Sequence, residues 1–389
     1  MDSTQKGIVT LLKSAVTQQS LPIPEDFDLE AAVALMKRHH CSTLLYDGAV
    51  RCGIDRELPI MQKLFLNYCK MLRVSVGQMQ MLEQVISAFE TNGIDYMLLK
   101  GSNIKNLYPL PELRFMSDAD VLIRIEQRQD IKRVMESMGF INTGNSDHEY
   151  IWQHQLLYLE LHKRLIPSYD RDFYRCLGDG WKLARKQDGC RYAMSPEDEL
   201  IFLFTHFTKH YRDGGIGCRH VVDLFVYLRA HPDLDEAYVR RELEELYLLT
   251  FYDNVRQLLD VWFGDAPMDA ITEHISQFIF GSGSWGDEDT RVLSFGVRDR
   301  HNDEGVDRSR LAWLLQTAFP GLRWMKKKYT ILQRAPWLLP VMWLVRPFYK
   351  LLFERKDAIR RKKQFGLLSK ENLEARKKAL NYVGLDYHF

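Results

Sequence analysis

The chain has few cysteines for its length, and their spacing excludes several kinds of site. Six cysteines are spread over 389 residues, and no two of them form a Cys-x-x-Cys pair. Zinc ribbons and thioredoxin-like redox sites need such pairs, and a disulfide scaffold needs a much denser set. We therefore expect buried, reduced thiols. A hydrophobic content of 46% also excludes a disordered chain.

Long apolar runs are absent as well. The first residues, MDSTQKGIVTLLKSAV, lack the apolar run of a signal peptide, so we expect a cytoplasmic protein. The most membrane-like stretch is APWLLPVMWLV at 335–345, which contains two prolines and is much shorter than the roughly 20 residues that cross a bilayer. It predicts either an interfacial anchor between Arg334 and Arg346 or a proline-broken helix packed on the protein.

The glycine-containing signatures of two large enzyme classes are missing. There is no Gly-x-x-x-x-Gly-Lys-Ser/Thr loop and no Gly-x-Ser-x-Gly elbow. These absences argue against P-loop nucleotide hydrolases and α/β-hydrolases. Any chemistry must therefore come from another arrangement of residues.

The near-neutral total charge hides an uneven distribution. The chain carries 53 Lys and Arg against 52 Asp and Glu, a formal net charge of +1. Residues 323–378 alone hold 17 basic and 4 acidic residues, so the rest of the chain is acidic. The basic clusters at 326–328 and 360–363, with nearby tryptophans, predict peripheral contact with an anionic membrane or with RNA. A solvated tail that pairs with the acidic body is the alternative.

Hydrophobic periodicity predicts an α+β protein. Residues 1–75 are typical of short helices, and an amphipathic helix at 77–92 is followed by Gly93 as its cap. Beyond Ser195 the pattern is again helical. Between these regions, short apolar runs predict strands at 95–99, 118–125 and 156–165, a helix at 127–138, and a hairpin of 181–186 with 191–194. We therefore expect a small mixed sheet flanked by helical regions, with domain boundaries 1–75, 76–195, 196–322 and 323–389.

Two aspartates at the start of the second predicted strand are the sharpest chemical signal. Asp118 and Asp120 stand two residues apart on a strand, so their carboxylates point to the same face. Glu160 lies on the third predicted strand, on the face opposite its leucines, and pairing of the two strands would bring three carboxylates together. Such a set suits Mg²⁺ or Mn²⁺ and a two-metal phosphoryl-transfer site. The alternative is a solvated strand edge.

A predicted strand that ends in Gly101-Ser102 and leads into a short helix precedes these carboxylates. Glycine and helix N–H groups together can hold a phosphate. This order of elements resembles the DNA polymerase β-like nucleotidyltransferase superfamily, and more closely its bacterial uncharacterised nucleotidyltransferase family. The resemblance rests on residues 98–123, 157–165, 195–214 and 222–224, and it extends to 336–348. The family often has Asp where Glu160 stands and Trp where Lys163 stands.

The resemblance implies transfer of a nucleoside monophosphate from a nucleoside triphosphate such as ATP to an acceptor, with pyrophosphate leaving. Residues 76–195 would form the nucleotidyltransferase core. Asp118, Asp120 and Glu160 would hold Mg²⁺ or Mn²⁺. Gly101 and Ser102 would hold the β- and γ-phosphates, and we predict further nucleotide contacts from Lys100, Arg114, Lys209 and His210. The acceptor stays open among small molecules, sugar phosphates, proteins and RNA.

The remaining histidines carry weaker signals. His206 and His210 lie one helical turn apart, but Phe207 stands where a zinc metalloprotease needs glutamate, so a zinc site is disfavoured. The alternatives for Lys209 and His210 are a solvated helix face, or histidines that are hydrogen-bonded to Asp223. His39 shows no partner and receives no role. The alternative to an enzyme is a non-catalytic module with this fold that binds a nucleotide or a partner and docks through its basic C-terminal segment.

Overall fold

A computed structural model describes the protein at residues 1–168, 170–283, 286, 288–299, 315, 318–322, 325–326, 329–353, 364 and 366–386. The predicted fold class is confirmed, because a mixed sheet lies in the middle of the chain with helices before and after it. The contacts divide the chain into two compact units. One contains the described parts of residues 1–211, 215–286 and 383–389, and the other those of residues 212–214 and 287–382. The domain boundaries expected from the sequence stay a prediction.

Helices make up most of the described chain. Four precede the sheet: α1 (Ser3–Thr17), α2 (Leu29–Arg38), α3 (Ser42–Arg51) and α4 (Pro59–Thr91). Three lie between strands: α5 (Gly101–Ile104), α6 (Arg128–Ser137) and α7 (Arg171–Leu177). Five follow the sheet: α8 (Pro196–Asp213), α9 (Cys218–Ala230), α10 (Glu236–Glu245), α11 (Leu249–Phe263) and α12 (Ala270–Ser282). The second unit contains α13 (Glu288–Asp299) and helices at Ile331–Arg334, Leu339–Phe353 and Lys370–Tyr382.

The described residues form a sheet of seven strands in the order β3-β4-β5-β2-β1-β7-β6. Its members are β1 (Tyr96–Leu99), β2 (Ala119–Ile123), β3 (Ile141–Asn145), β4 (Glu149–Gln153), β5 (Tyr158–His162), β6 (Arg185–Lys186) and β7 (Arg191–Ala193). β2 pairs with β5 in parallel and with β1 antiparallel. The sheet is therefore mixed, and β2 lies near its centre.

Alternation along β2 and β5 sorts the side chains onto two faces. Val121 and Leu159 belong to a buried core that also contains Phe89 of α4 and Met135 of α6. The opposite face carries Asp120, which is buried as well. The hydrophobic effect thus fixes the register that turns polar side chains away from α4 and α6, because a shift by one residue would put the carboxylates into the core.

Two elements differ from the sequence predictions. The helix predicted at 77–92 begins at Pro59, because the interior Gly77 costs a helix only about 1 kcal/mol, too little to end it. The hairpin of β3 and β4 was not predicted. β3 has the sequence INTGN and is almost wholly exposed, so it lacks the apolar alternation that reveals a half-buried strand.

Most residues of the two basic clusters in the C-terminal segment lie outside the described residues. Among those described, Trp337 and Leu344 are 76% and 72% exposed. No helix within the described parts of the chain is long and apolar enough to cross a membrane. Contact of residues 323–378 with a membrane or with nucleic acid stays a prediction.

His39 joins distant parts of the chain, although the sequence gives it no role. Its Nδ1 accepts a hydrogen bond from the backbone N–H of Cys218 at 3.1 Å, and its Nε2 lies 3.3 Å from the carbonyl oxygen of Phe280. Accepting at one nitrogen and donating at the other requires a neutral imidazole. Burial is the main reason that the pKa of His39 falls to about 4. His39 therefore anchors the start of α9.

We expect this histidine to make the stability of the protein depend on pH. The pKa of His39 is lowered from 6.5 to about 4 by folding, so the unfolded chain binds more protons between these values. The stabilising contribution is complete above pH 6.5 and is lost as the pH falls toward 4. Urea unfolding measures the free energy of unfolding across this range. As the pH falls, we expect this free energy to decrease by up to about 3 kcal/mol more in the wild type than in His39→Asn. Parallel profiles for the two proteins would contradict this assignment.

Candidate active site

The carboxylates predicted from the sequence lie around one cavity of about 280 Å³. In the parallel pairing of β2 with β5, Asp120 is the register partner of Glu160. Asp118 precedes the strand, and its carboxylate accepts a hydrogen bond from the Ser117 hydroxyl at 2.8 Å. All three carboxylates line the cavity. The predicted pairing of the two strands is therefore present.

Asp120 is held by two cationic or polar side chains and by its own backbone. The Lys100 ammonium and the Nε2 of His162 each lie 2.8 Å from its Oδ1. The backbone N–H of Asp120 donates to the Ser102 hydroxyl at 2.9 Å. Burial alone would raise the pKa of Asp120, but Lys100 and His162 outweigh it and hold that pKa well below its usual range. Asp120 is therefore an ionised carboxylate in a buried position.

The other two carboxylates carry the opposite shift. Burial, followed by repulsion from Asp120, raises the pKa of Asp118 and of Glu160. Two half-buried carboxyl groups beside an ionised third cannot all be charged at low cost. A divalent cation placed among them would remove this repulsion. The protonation of the site therefore fits a metal-binding set of residues.

His162 adds an imidazole beside this set. Since ionised Asp120 can only accept, the Nε2 of His162 must carry the hydrogen. Its Nδ1 is buried and has no hydrogen-bond partner within the described part of the chain. Ligand atoms of Asp120, Glu160 and His162 lie within 4.8 Å of one another. Asp118 lines the same cavity without belonging to this tight group.

Strand β4 and the residue before it contribute two further polar groups that sequence reasoning missed. Glu149 is the register partner of His162, and the Nε2 of His148 lies 3.0 Å from its carboxylate. Burial opposes the charge of Glu149, but His148 and His162 outweigh it and lower its pKa to about 2. Ligand atoms of His148, Glu149 and His162 also lie within 4.8 Å of one another. Prediction of β4 as a strand paired with β5 would have placed His148 and Glu149 near the carboxylates.

The turn after β1 has a strained backbone. Lys100 has φ 45° and ψ −120°, a region that side-chain-bearing residues rarely adopt. This turn directs the Lys100 ammonium to Asp120. Burial alone would lower the pKa of Lys100, but the carboxyl groups of Asp120, Glu160 and Asp118 outweigh burial and raise it. Gly101 and Ser102 follow as the first buried residues of α5. Their predicted contacts with phosphate stay a prediction.

Arg114 lies deeper than a surface cation would. Its Nε and Nη2 donate to the two carboxylate oxygens of Asp223 at 2.7 and 2.9 Å, and the Tyr108 hydroxyl donates to the same carboxylate at 2.7 Å. A Cβ added to Gly101 would come within 2.4 Å of the Arg114 guanidinium. Arg114 thus connects the segment before β2 to α9, and Gly101 leaves the space that it occupies.

Helices α8 and α9 contribute the other predicted residues. Lys209 and His210 line the cavity, and the Lys209 ammonium lies 3.1 Å from the carboxylate of Asp170, which is buried. Arg219 also lines the cavity and was not predicted. Its Nη1 donates to the carbonyl oxygen of Phe115 at 3.2 Å, while its buried Nε has no hydrogen-bond partner among the residues described. Burial, followed by Arg114, lowers the pKa of Arg219.

A mixed sheet that presents several carboxylates to a cavity suits metal-dependent transfer of phosphate-containing groups. The chain belongs to the uncharacterised nucleotidyltransferase family, whose sequence profile matches residues 25–264. No curated protein and no solved structure matches the chain. The family resemblance predicted from the sequence is therefore confirmed. Membership points to a transferase that moves nucleotidyl groups, and it names no substrate.

We expect Gly101→Ala to destabilise the protein, because the new Cβ would meet a guanidinium that Asp223 holds in place. Such overpacking lowers the free energy of unfolding by about 1–3 kcal/mol. Gly281→Ala in α12 is the matched control, since a Cβ there meets no atom within 4 Å. Chemical denaturation measures both. Equal stability of the two variants would show that Arg114 moves away without cost.

Proposed function

We propose that the protein transfers a nucleoside monophosphate from a nucleoside triphosphate to a hydroxyl or phosphate on an acceptor, with Mg²⁺ or Mn²⁺ as cofactor. The observation that carries this proposal is the register of β2 and β5, which makes Asp120 and Glu160 neighbours on one face. Asp118 lines the same cavity. Family membership supports the nucleotidyl part of the proposal.

The proposed residues have distinct roles. Asp118, Asp120 and Glu160 would hold the metal, with His162 beside them as a hydrogen-bond donor to Asp120. A bound divalent cation would neutralise charge on the α-phosphate and on the leaving pyrophosphate. Lys100 would keep Asp120 ionised in the absence of metal. Oxygen donors dominate this set, which fits Mg²⁺ and Mn²⁺.

The proposed reaction exchanges one bond for another at the α-phosphorus. The acceptor oxygen forms a bond to the α-phosphorus as the bond from that phosphorus to the bridging oxygen breaks. Pyrophosphate leaves with the bonding electrons. When the acceptor is a hydroxyl, its proton passes to Glu160, the carboxylate that we place nearest the attacking oxygen. The protein contributes mainly positioning and charge neutralisation.

Arg219 is our main candidate for holding the anionic triphosphate. The cavity has four lining cations of the Lys and Arg type within the described residues, and three of them pair with a carboxylate: Lys100 with Asp120, Arg114 with Asp223 and Lys209 with Asp170. Arg219 has no ion pair among the described side chains. A guanidinium with an unused N–H in a cavity is well suited to a phosphate oxygen. Gly101, Ser102, Lys209 and His210 are proposed as further contacts.

The carboxylates provide the direct test of turnover. We expect Asp118→Asn, Asp120→Asn and Glu160→Gln each to lower the rate of transfer by at least about 100-fold, because charge stabilisation at the reacting phosphate is lost. The measurement incubates each protein with nucleoside triphosphates labelled at the α-phosphorus, Mg²⁺ or Mn²⁺, and fractionated lysate. It follows label transferred to an acceptor and release of pyrophosphate.

Asp130→Asn is the matched control, since it removes an exposed carboxylate from α6. Unchanged transfer in the three carboxylate variants would overturn the proposed site. Nucleotide binding without transfer to any fraction would instead favour the non-catalytic module.

A second prediction concerns binding of the triphosphate alone. We expect Arg219→Gln to weaken binding of a fluorescent nucleoside triphosphate by about 10- to 100-fold, the loss of a hydrogen bond to a charged group. Arg219→Lys should restore part of the affinity, because the charge returns without the fork. Arg124→Gln is the control, since this guanidinium is paired with Asp95. Equal affinities of wild type and Arg219→Gln would exclude the proposed contact.

A further inference from the structure

Three histidines from two helices meet on the wall of the cavity formed by α8 and α9. His206 and His210 lie one turn apart on α8, and His220 lies in the first turn of α9. The ring centroids of His206 and His210 are 4.5 Å apart, and that of His220 is 5.3 Å from His210 and 6.1 Å from His206. One nitrogen from each ring lies within 4.8 Å of the other two. This spacing needs only small side-chain rotations to converge on one ion.

The protonation of these rings suits a metal. Burial, followed by the neighbouring His210 for His206 and by Arg219 for His220, holds the pKa of both well below the usual value for histidine. Neutral imidazole is the form that binds metal, so His206 and His220 have no proton to lose at neutral pH. The Nδ1 of His220 lies 3.4 Å from the carbonyl oxygen of Gly217. This contact leaves Nε2 as the ligand atom, as in many metal sites whose second nitrogen donates to a carbonyl.

We propose that His206, His210 and His220 bind a divalent transition-metal ion such as Zn²⁺ or Co²⁺, at a site separate from the carboxylates. Imidazole nitrogens favour these ions, whereas the oxygen donors on the sheet favour Mg²⁺ and Mn²⁺. The two sites share no residue. The inference does not depend on nucleotidyl transfer, because metal binding can be measured without a substrate.

The charge of Arg219 beside the three histidines indicates which further ligand the metal ion would bind. Arg219 adjoins His220 in the chain and lines the same cavity, so its charge opposes a bare cation. Three protein ligands leave an open coordination position, as in zinc sites that bind a further ligand. An anionic oxygen at that position would offset both the metal ion and the guanidinium. The site thus suits a metal ion that carries an anion.

Cobalt absorption tests this proposal on the full chain. Metal-stripped protein is first saturated with Mg²⁺, the ion proposed for the carboxylates, and is then titrated with Co²⁺ while its visible ligand-field absorption is followed. We expect one equivalent to bind with a visible band that Zn²⁺ abolishes by displacement. His206→Gln, His210→Gln and His220→Gln should each weaken Co²⁺ binding by more than about 100-fold, since loss of a ligand exceeds loss of its supporting hydrogen bond.

Two histidine variants serve as controls and should keep the band. His231→Gln removes the imidazole that stacks on Tyr227 at the end of α9, and His162→Gln removes the imidazole beside the carboxylates. Circular dichroism and thermal melting identify any variant that fails to fold. If one of the three variants His206→Gln, His210→Gln and His220→Gln does not fold, the other two test whether the histidines bind Co²⁺. Absence of a band in wild type, its survival in folded His206→Gln or His210→Gln, or its loss in His162→Gln alone would overturn the proposal.

Discussion

The ionised carboxylate of Asp120 is the interaction on which the cavity depends. A carboxylate buried without partners would be protonated, because desolvation costs far more than one hydrogen bond returns. Lys100 and His162 prevent this, and they come from the turn after β1 and from the end of β5. The charge of Asp120 therefore holds β2, β5 and the turn after β1 together. The backbone of Lys100 is strained, at a cost of about 1–3 kcal/mol, and the ion pair offsets that cost only while Asp120 remains charged.

A second buried network sets the position of the opposite wall. Arg114 donates hydrogen bonds from Nε and Nη2 to Asp223, and the Tyr108 hydroxyl donates one to the same carboxylate. Buried pairs of this kind add little net stability over apolar packing, but removal of one partner costs about 3–5 kcal/mol. The network therefore acts mainly by fixing geometry: it holds α9, which carries Arg219 and His220, against the segment that leads into β2. The charge of Arg114 is paired with Asp223, whereas Arg219 has no carboxylate partner among the described residues.

The sequence predicted those parts of the structure that follow from local pattern. Strands β1 and β2 are short apolar runs because they are buried along nearly their whole length, and β5 alternates between buried and less buried positions. The two-residue period of a strand predicts that Asp118 and Asp120 share a face, which Glu160 joins once the strands pair. Glu149 and His148 were missed because the hairpin that carries them ends in an exposed strand with no such pattern. The partners of His39 were also hidden, since they stand 179 and 241 positions away in the chain. Contacts at that separation depend on tertiary packing, which no local pattern records.

The carboxylates and the imidazoles that line the cavity lie on different secondary-structure elements. Carboxylates lie on the sheet, where parallel register gathers them and Lys100 and His162 share their charge. Neutral imidazoles lie on α8 and α9, where burial and nearby cations keep protons off the rings. The wall on the sheet thus has ionised Asp120 beside two carboxyl groups whose pKa is raised, and the opposite wall has Arg219 without a carboxylate partner among the described residues. For the proposed triphosphate to span both walls, a cation bound to the carboxylates would have to offset the repulsion by Asp120, while Arg219 would attract the phosphates.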